Sequence, residues 1–477
     1  MIAFVSVDRE NAGMSSEHFD TVVIGAGSAG YAAARTLSAG GAKVAVLEGG
    51  REVGGLCILR GCMPTKALLH AAELRQAIRQ AEDWGITTGE VKTDLARLFA
   101  KKDALIAEFA GYRRQQLERG KFTFIRRNGH FTDAHTLALE DGHHLTATHF
   151  VIATGSVIAP PVVPGLTEAC YLTSDDALAL RHLPKSLIVL GGGAVAVEFA
   201  QFFLRLGTRV TLVQRGHHLL RGLDEDAARE LEKALRREGM TIYTGTKILG
   251  TEATPTGKQI RFEHEAGTVT VEAEEIFYGL GRTPNTASLC LPAAGVSTHG
   301  HRIIADLQQR TSVEHIFAAG DCCGPHEIVH IAILQAELAA RNILRPGRAE
   351  EMDYRLLTTI VFSDPAVAQT GLTEHEAETR GIDFIKASYP LNDHGKSMIL
   401  GAQEGFVKLL ADRRTGELLG GTCVGPQGGE LIHEITVALS RRMTAAELAA
   451  VPHYHPTLAE IWTYPAEELA DAVAAAK

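Results

Sequence analysis

The chain has no apolar run near the roughly 18 residues that a membrane-spanning helix needs. Its first stretch has no basic segment followed by an apolar core, so a loose tail is expected there, with Met14 as an alternative start, rather than a secretory leader. Positive charge is in deficit: 47 basic residues against 57 acidic ones leave a net charge of −10, which argues against a nucleic-acid or anionic-membrane partner. A disulfide framework is also missing. The seven cysteines are odd in number, and Cys170, Cys290, Cys322, Cys323 and Cys423 follow no framework spacing. These absences together point to a cytoplasmic protein in a reducing compartment. A length of 477 residues leads us to expect about three domains.

What is present begins with Cys57 and Cys62, separated by four residues in the run Gly54–Lys66. A regular helix holds Cα atoms five residues apart at roughly 8–9 Å, whereas a disulfide wants about 4.4–6.8 Å. A bridge here therefore needs a distorted turn, which Gly61 and Pro64 permit. Two readings stay open on spacing alone: a disulfide that cycles, or two buried thiols that never pair.

Two stretches carry the signature of dinucleotide binding. Asp20–Ile24 reads as a buried strand, Gly25-Ala26-Gly27-Ser28-Ala29-Gly30 as a tight turn, Tyr31–Ser38 as a helix, and Lys43–Leu47 as a second strand ending at Glu48. Gly25, Gly27 and Gly30 allow the backbone to approach a pyrophosphate, the helix N-terminus stabilises its charge, and the terminal acid accepts from ribose hydroxyls. The pattern recurs with the strand Ser186–Leu190, the turn Gly191-Gly192-Gly193-Ala194-Val195-Ala196, a helix over Val197–Leu206 and the strand Thr208–Val213. Here Gln214 and Arg215 stand where an acid would be, with Arg221 close behind. Guanidinium groups bind a 2′-phosphate that a carboxylate would repel, so NADPH is favoured over NADH; solvated surface charge is the plain alternative for Arg215 and Arg221.

Further motifs follow in order: Gly129; Val151-Ile152-Ala153-Thr154-Gly155; Gly279-Leu280-Gly281-Arg282-Thr283-Pro284-Asn285; Ile316–Asp321; and His455-Pro456-Thr457-Leu458-Ala459-Glu460. With the paired cysteines and the two nucleotide turns, they make the chain resemble the FAD-dependent pyridine nucleotide–disulfide oxidoreductases, which include dihydrolipoamide dehydrogenase, glutathione reductase and mercuric reductase. The resemblance runs from about residue 18 to 470.

That resemblance implies an α/β fold: two Rossmann-like dinucleotide-binding domains, for FAD and NAD(P), plus a C-terminal α+β dimerisation domain. Residues 18–156 and 282–351 would form the FAD domain, 157–281 the NAD(P) domain and 352–477 the interface domain. It implies FAD contacts from Gly25, Gly27, Gly30, Glu48, Gly55, Lys66, Gly129, Thr154, Gly155 and Asp321. It implies NAD(P) contacts from Gly191, Gly193, Glu198, Arg215, Arg221 and Gly281, and no metal ligands.

The resemblance also implies roles. Cys62 is the sulfur nearer the flavin, Cys57 the interchange thiol, and Lys66 and Glu198 an ion pair beside the two rings. His455, oriented by Glu460, is the acid/base, reaching the disulfide from the other subunit of a homodimer. His453 is the rival base, disfavoured because Pro456-Thr457 follows His455. The expected reaction is reduction of a small disulfide or lipoyl group by NADPH. The alternatives are a dihydrolipoamide dehydrogenase using NAD, a quinone or metal-ion reductase, and a non-enzymatic thiol redox sensor. The sequence does not identify the substrate, the direction of flux or membership of a multienzyme complex.

Departures from the family pattern matter too. Ala194 stands where many relatives carry a gating tyrosine. The C-terminal stretch has no cysteines, unlike large thioredoxin reductases and mercuric reductase. The vicinal Cys322 and Cys323 would suit a soft metal, but small buried residues beside the flavin are the favoured reading.

Overall fold

Thr21-Val22-Val23-Ile24 is buried on both faces, the pattern of a strand inside a parallel sheet rather than at its edge. The computed structural model describes residues 16–265, 267–402 and 404–476; the expected loose tail with Met14 lies outside the described residues. The chain folds as two compact units. One takes the residues up to Leu59 together with Ala107–Val157 and Thr283–Met352; the other takes Arg60–Ile106, Ile158–Arg282 and Asp353–Lys477.

In the first unit a seven-stranded sheet runs in the order Thr123–Ile125, Val44–Leu47, Ser16–Ile24, His144–Ile152, Thr136–Leu139, Gly129–Asp133, with Ile316–Ala318 also paired to His144–Ile152. The first four of these strands and Ile316–Ala318 are parallel. Side-chain alternation divides the core: Val22, Ile24, Phe150 and Ile152 face one cluster, Val23 and Val151 the other. On the second face the helix Ser28–Ala39 brings Ala32, Ala33 and Leu37 into one cluster with Ala336, Ala339 and Ala340 of the helix Val329–Leu344. The first strand starts earlier than the sequence suggested, at Ser16, because its exposed start pairs with the long strand from His144. The helix likewise starts at Ser28 rather than Tyr31, with Gly27 as its cap.

The second unit holds a four-stranded parallel sheet in the order Thr241–Tyr243, Arg209–Val213, Ser186–Leu190, Glu275–Tyr278. The helix Ala194–Leu206 packs Val197, Phe199, Ala200 and Phe203 into its core with Leu187 and Val189. Three antiparallel strands span Lys247–Ala273. A five-stranded antiparallel sheet follows, ordered Thr358–Val361, Ala366–Gly371, Leu418–Gly425, Phe406–Asp412, Phe384–Pro390. Ile432 and Ile435 of the helix Gly428–Ser440, and Leu469 of the helix Thr463–Ala475, share a core with Trp462 and Leu409. The architecture is thus α/β, with two Rossmann-like sheets and a C-terminal α+β part. No helix of the described residues is long and apolar enough to cross a membrane.

Candidate functional site

Three constellations carry the chemistry, each lying within one unit. The first is the nucleotide turn of the first unit. Gly25 has φ +102°, and a Cβ there would lie 2.4 Å from Ala153 O; at Gly30 it would lie 1.8 Å from Gly25 O. Only glycine lets strand and helix approach so closely. Gly27 caps the helix without a side-chain hydrogen bond, leaving the first-turn amides for a ligand. Glu48 Oε2 accepts from Ala26 N at 3.0 Å and Oε1 from Gly50 N at 2.7 Å, so its carboxylate is fixed beside the turn. Gly129 is packed between Leu47 and Leu139. Asn285 N donates to Gly155 O at 2.9 Å, tying the returning segment to the Thr154–Gly155 turn. Asp321 Oδ2 accepts from Ser156 Oγ at 2.7 Å.

FAD fits this region on one observation in particular. Thr154 Oγ1 is buried and makes no protein hydrogen bond, a loss that a bound polar cofactor would repair. Gly55, with φ +71°, sets its backbone against Gly27; a Cβ there would lie 2.6 Å from Gly27 Cα. Cys57 sits two residues on, in the helix Gly55–Leu59, half-buried.

The second constellation lies in the other unit, where Cys62 opens the helix Cys62–Gln80. Free amides at a helix start favour a negative sulfur. The expected distortion falls at Gly61, which caps this helix at φ −123°, ψ −114°. Lys66 is one turn on, on the same face as Cys62. Its Nζ lies 2.7 Å from Glu198 Oε2, and Glu198 Oε1 accepts from Phe362 N at 3.0 Å. Glu198 is only 4% exposed, and Lys66 Nζ lies 4.5 Å from the Phe362 ring centre. In the nucleotide turn of this unit, Gly191 has φ +108° and a Cβ would lie 2.4 Å from Gly279 O, while a Cβ at Gly193 would meet open space. Ala196 in place of the third glycine packs against Gly279. Gln214 folds over Gly192, and Arg215 and Arg221 are exposed. Gly281, φ +114°, also borders open space.

The third constellation is the base. Glu460 holds His455 Nδ1 at 3.1 and 3.0 Å through its two oxygens. The carboxylate is 10% exposed and the imidazole 78%. A buried acid therefore orients a histidine whose other nitrogen is presented outward. The rival His453 is occupied on both sides, by Val451 O at 2.9 Å and Glu434 Oε1 at 2.6 Å. Sequence reasoning missed His394, which is fully buried: its Nε2 lies 3.2 Å from Glu460 Oε1 and its Nδ1 2.8 Å from Ser397 Oγ. No motif links positions 394 and 460, so no sequence signal could have found the contact.

The remaining polar clusters are structural. Cys322 and Cys323 donate to the backbone carbonyls of Ile152, Ala319 and Gly320, as small buried residues do. Burial alone pushes the Cys423 thiol up to about 12. Asp224, Asp226 and Glu374 have the spacing of a metal cage, but Lys408 Nζ fills it at 2.9, 2.7 and 2.6 Å.

Comparison with known proteins gives the family and the fold. The family described as "Pyridine nucleotide-disulphide oxidoreductase" matches residues 19–336, and its dimerisation domain matches residues 357–466. A dihydrolipoyl dehydrogenase from Geobacillus stearothermophilus is 33% identical over 447 residues, 93% of this chain and 94% of that protein. A mercuric reductase from Staphylococcus aureus is 32% identical over 93% of this chain and 81% of its own length. The HOCl-induced flavoprotein disulfide reductase RclA from Escherichia coli shares the fold at TM-score 0.82, with 24% identity over 94% of this chain and 99% of that one.

Proposed function

The chain belongs to the pyridine nucleotide-disulphide oxidoreductase family, an enzyme family that implies FAD and a nicotinamide cofactor, and from that premise we propose that it reduces a small disulfide or lipoyl substrate with NADPH. The observation that carries this reading is His455, oriented by the buried Glu460 and exposed at its other nitrogen. Quinone reduction and redox sensing need no such pair; thiol–disulfide exchange does, because each leaving thiolate must be protonated.

FAD, when bound, supplies the two-electron carrier between nicotinamide and disulfide. The reduced Cys57 thiolate attacks one substrate sulfur, forming a mixed disulfide and expelling the other sulfur as a thiolate. His455 gives that thiolate its proton. Cys62 then passes its proton to the His455 imidazole and attacks the Cys57 sulfur, closing the Cys57–Cys62 disulfide and expelling the second substrate sulfur as a thiolate, which takes that proton from His455. Glu460 fixes the imidazole tautomer and stabilises its charged form. Lys66 and Glu198 hold a fixed charge pair one helical turn from Cys62. The dimerisation domain supports a homodimer, in which the exposed His455 of one copy serves the thiols of the other.

The test is an anaerobic titration of the oxidised enzyme with NADPH and, separately, NADH, followed in the visible spectrum. A long-wavelength thiolate–flavin band appearing at low NADPH is the expected result. The same band with NADH alone overturns the cofactor assignment and moves a dihydrolipoamide dehydrogenase activity to first place. His455→Ala should cut disulfide turnover by a factor of about 10²–10⁴; unchanged turnover removes the proposed base.

A further inference from the structure

Phe362 leaves a large aromatic ring 41% exposed beside a buried charge pair. It follows the strand Thr358–Val361, whose last residue, Val361, is packed in one core cluster with Ala196, Val197 and Phe199 of the helix Ala194–Leu206. The Phe362 N–H donates to Glu198 Oε1 at 3.0 Å. Lys66 Nζ sits over the ring, 4.5 Å from its centre, while bonding Glu198 Oε2 at 2.7 Å. Backbone and ring are thus both held against the pair. Glu198 comes about one turn after Ala194, on the same face of the helix that opens from the second nucleotide turn. Ala194 offers only a methyl group on that face, and a Cβ at Gly193 would meet open space. All these residues fall in one unit.

An aromatic ring carries negative charge on its face and positive charge at its edge, so it stacks, offset, on another flat ring and attracts a cation. The nicotinamide ring is flat, and it becomes a cation when it gives up a hydride. A nucleotide bound at the turn Gly191–Ala196 has its pyrophosphate at the start of this helix, and Phe362 is tied to the helix one turn further on. We propose that Phe362 is the stacking platform for the nicotinamide ring, filling from the strand side the space that Ala194 leaves on the helix. Its N–H bond to Glu198 and its contact with Lys66 set the ring in place before the nucleotide arrives, so little order is lost on binding. This deepens the nicotinamide half of the proposed function and rests on it, whichever disulfide is reduced.

Nucleotides with and without the ring test it on the oxidised, FAD-loaded enzyme. NADP⁺ is paired with ADP-ribose 2′-phosphate, and NAD⁺ with ADP-ribose. Phe362→Leu should weaken the nicotinamide member of the tighter pair by about fivefold, the worth of one aromatic contact, and leave its ring-less partner unmoved. Phe362→Tyr keeps the ring and should bind both members as the parent does. At a low concentration of the reducing nucleotide, flavin reduction in the leucine variant should slow by the same factor. If the leucine variant does not fold or loses FAD, Phe362→Met reads the same ratios. A ratio that stays unchanged overturns the platform. If both members of the pair weaken alike, Phe362 only supports the Lys66–Glu198 pair and the nucleotide turn. Should neither NADPH nor NADH reduce the flavin of the parent, the nicotinamide reading itself has failed, and the platform with it.

Discussion

Nε2 of the fully buried His394 lies 3.2 Å from Oε1 of Glu460, the carboxylate that orients the exposed His455. Ser397 Oγ occupies Nδ1 of the same ring. With the hydroxyl donating to Nδ1, Nε2–H donates to the carboxylate, and His394 braces Glu460 behind His455. Removing that donor leaves the Glu460 carboxylate with one hydrogen bond fewer and loosens its hold on the His455 ring. His394→Asn should therefore lower kcat for disulfide turnover by about tenfold, the worth of one hydrogen bond to a charged group, with little change in KM. Flavin reduction by the nicotinamide should keep its rate. An unchanged kcat, or a flavin reduction slowed as much as disulfide turnover, would leave His394 as packing only.

His394 also marks where sequence reasoning ends. Gly25–Gly30 with Glu48, and Gly191–Ala196, were legible because strand, turn, helix and strand follow within a few dozen residues and the steric demand on each glycine is local. His455 and Glu460 were legible because they fall within one short motif, His455-Pro456-Thr457-Leu458-Ala459-Glu460, that resembles the family's. The contact of His394 with Glu460, and the placing of Phe362 against Lys66 and Glu198, arise only when distant segments pack. Helix and strand starts were read late for a related reason: pairing with His144–Ala147 and capping by Gly27 extend both elements beyond their apolar pattern.

The Lys66–Glu198 pair makes a stability prediction. Glu198 is almost fully buried and has two partners, Lys66 Nζ and Phe362 N. Lys66→Met leaves a buried carboxylate with the backbone amide alone. Breaking a buried pair from one side costs about 3 kcal/mol. Urea unfolding of the methionine variant should show that loss at neutral pH. Glu198→Gln keeps a neutral acceptor for Phe362 N, so its loss should be smaller. Equal losses in the two variants would mean that the charge pair is not what stabilises this contact.

Stability against pH should be set in part by Lys408. Burial pushes this lysine down, but Asp224, Asp226 and Glu374 outweigh it and hold it above its ordinary value. For Glu374 burial pushes upward, and its bonds to Lys386 and Lys408 outweigh that and hold it below its ordinary value. A depressed carboxylate contributes stability that is present above its unfolded pKa, about 4.5, and is lost as pH falls through the folded value. The raised lysine contributes below about 10.5 and loses its contribution as pH rises through its folded value. Thermal unfolding should therefore show an acid limb beginning below about pH 4.5. Lys408→Met leaves three facing carboxylates and should reverse the trend, gaining stability as pH falls from 7 towards 5. A variant whose midpoint falls in parallel with the parent would sink this account.

The proposed preference for NADPH rests on Arg215 and Arg221, both exposed after the second nucleotide strand. An exposed guanidinium is already solvated, so its value to a 2′-phosphate is a charge-assisted bond made in high dielectric rather than relief of a buried charge. Each arginine should then contribute modestly, and salt should weaken the effect. Replacing Arg215 and Arg221 together by Gln should raise KM for NADPH by about tenfold to a hundredfold, leave KM for NADH nearly unchanged, and flatten the dependence of NADPH affinity on ionic strength. Arg215→Glu should go further, repelling the 2′-phosphate while offering the ribose an acceptor. If the double glutamine variant binds NADPH as the parent does, the two arginines are solvated surface charge, and the missing acid at Gln214 says nothing about which nicotinamide the enzyme uses.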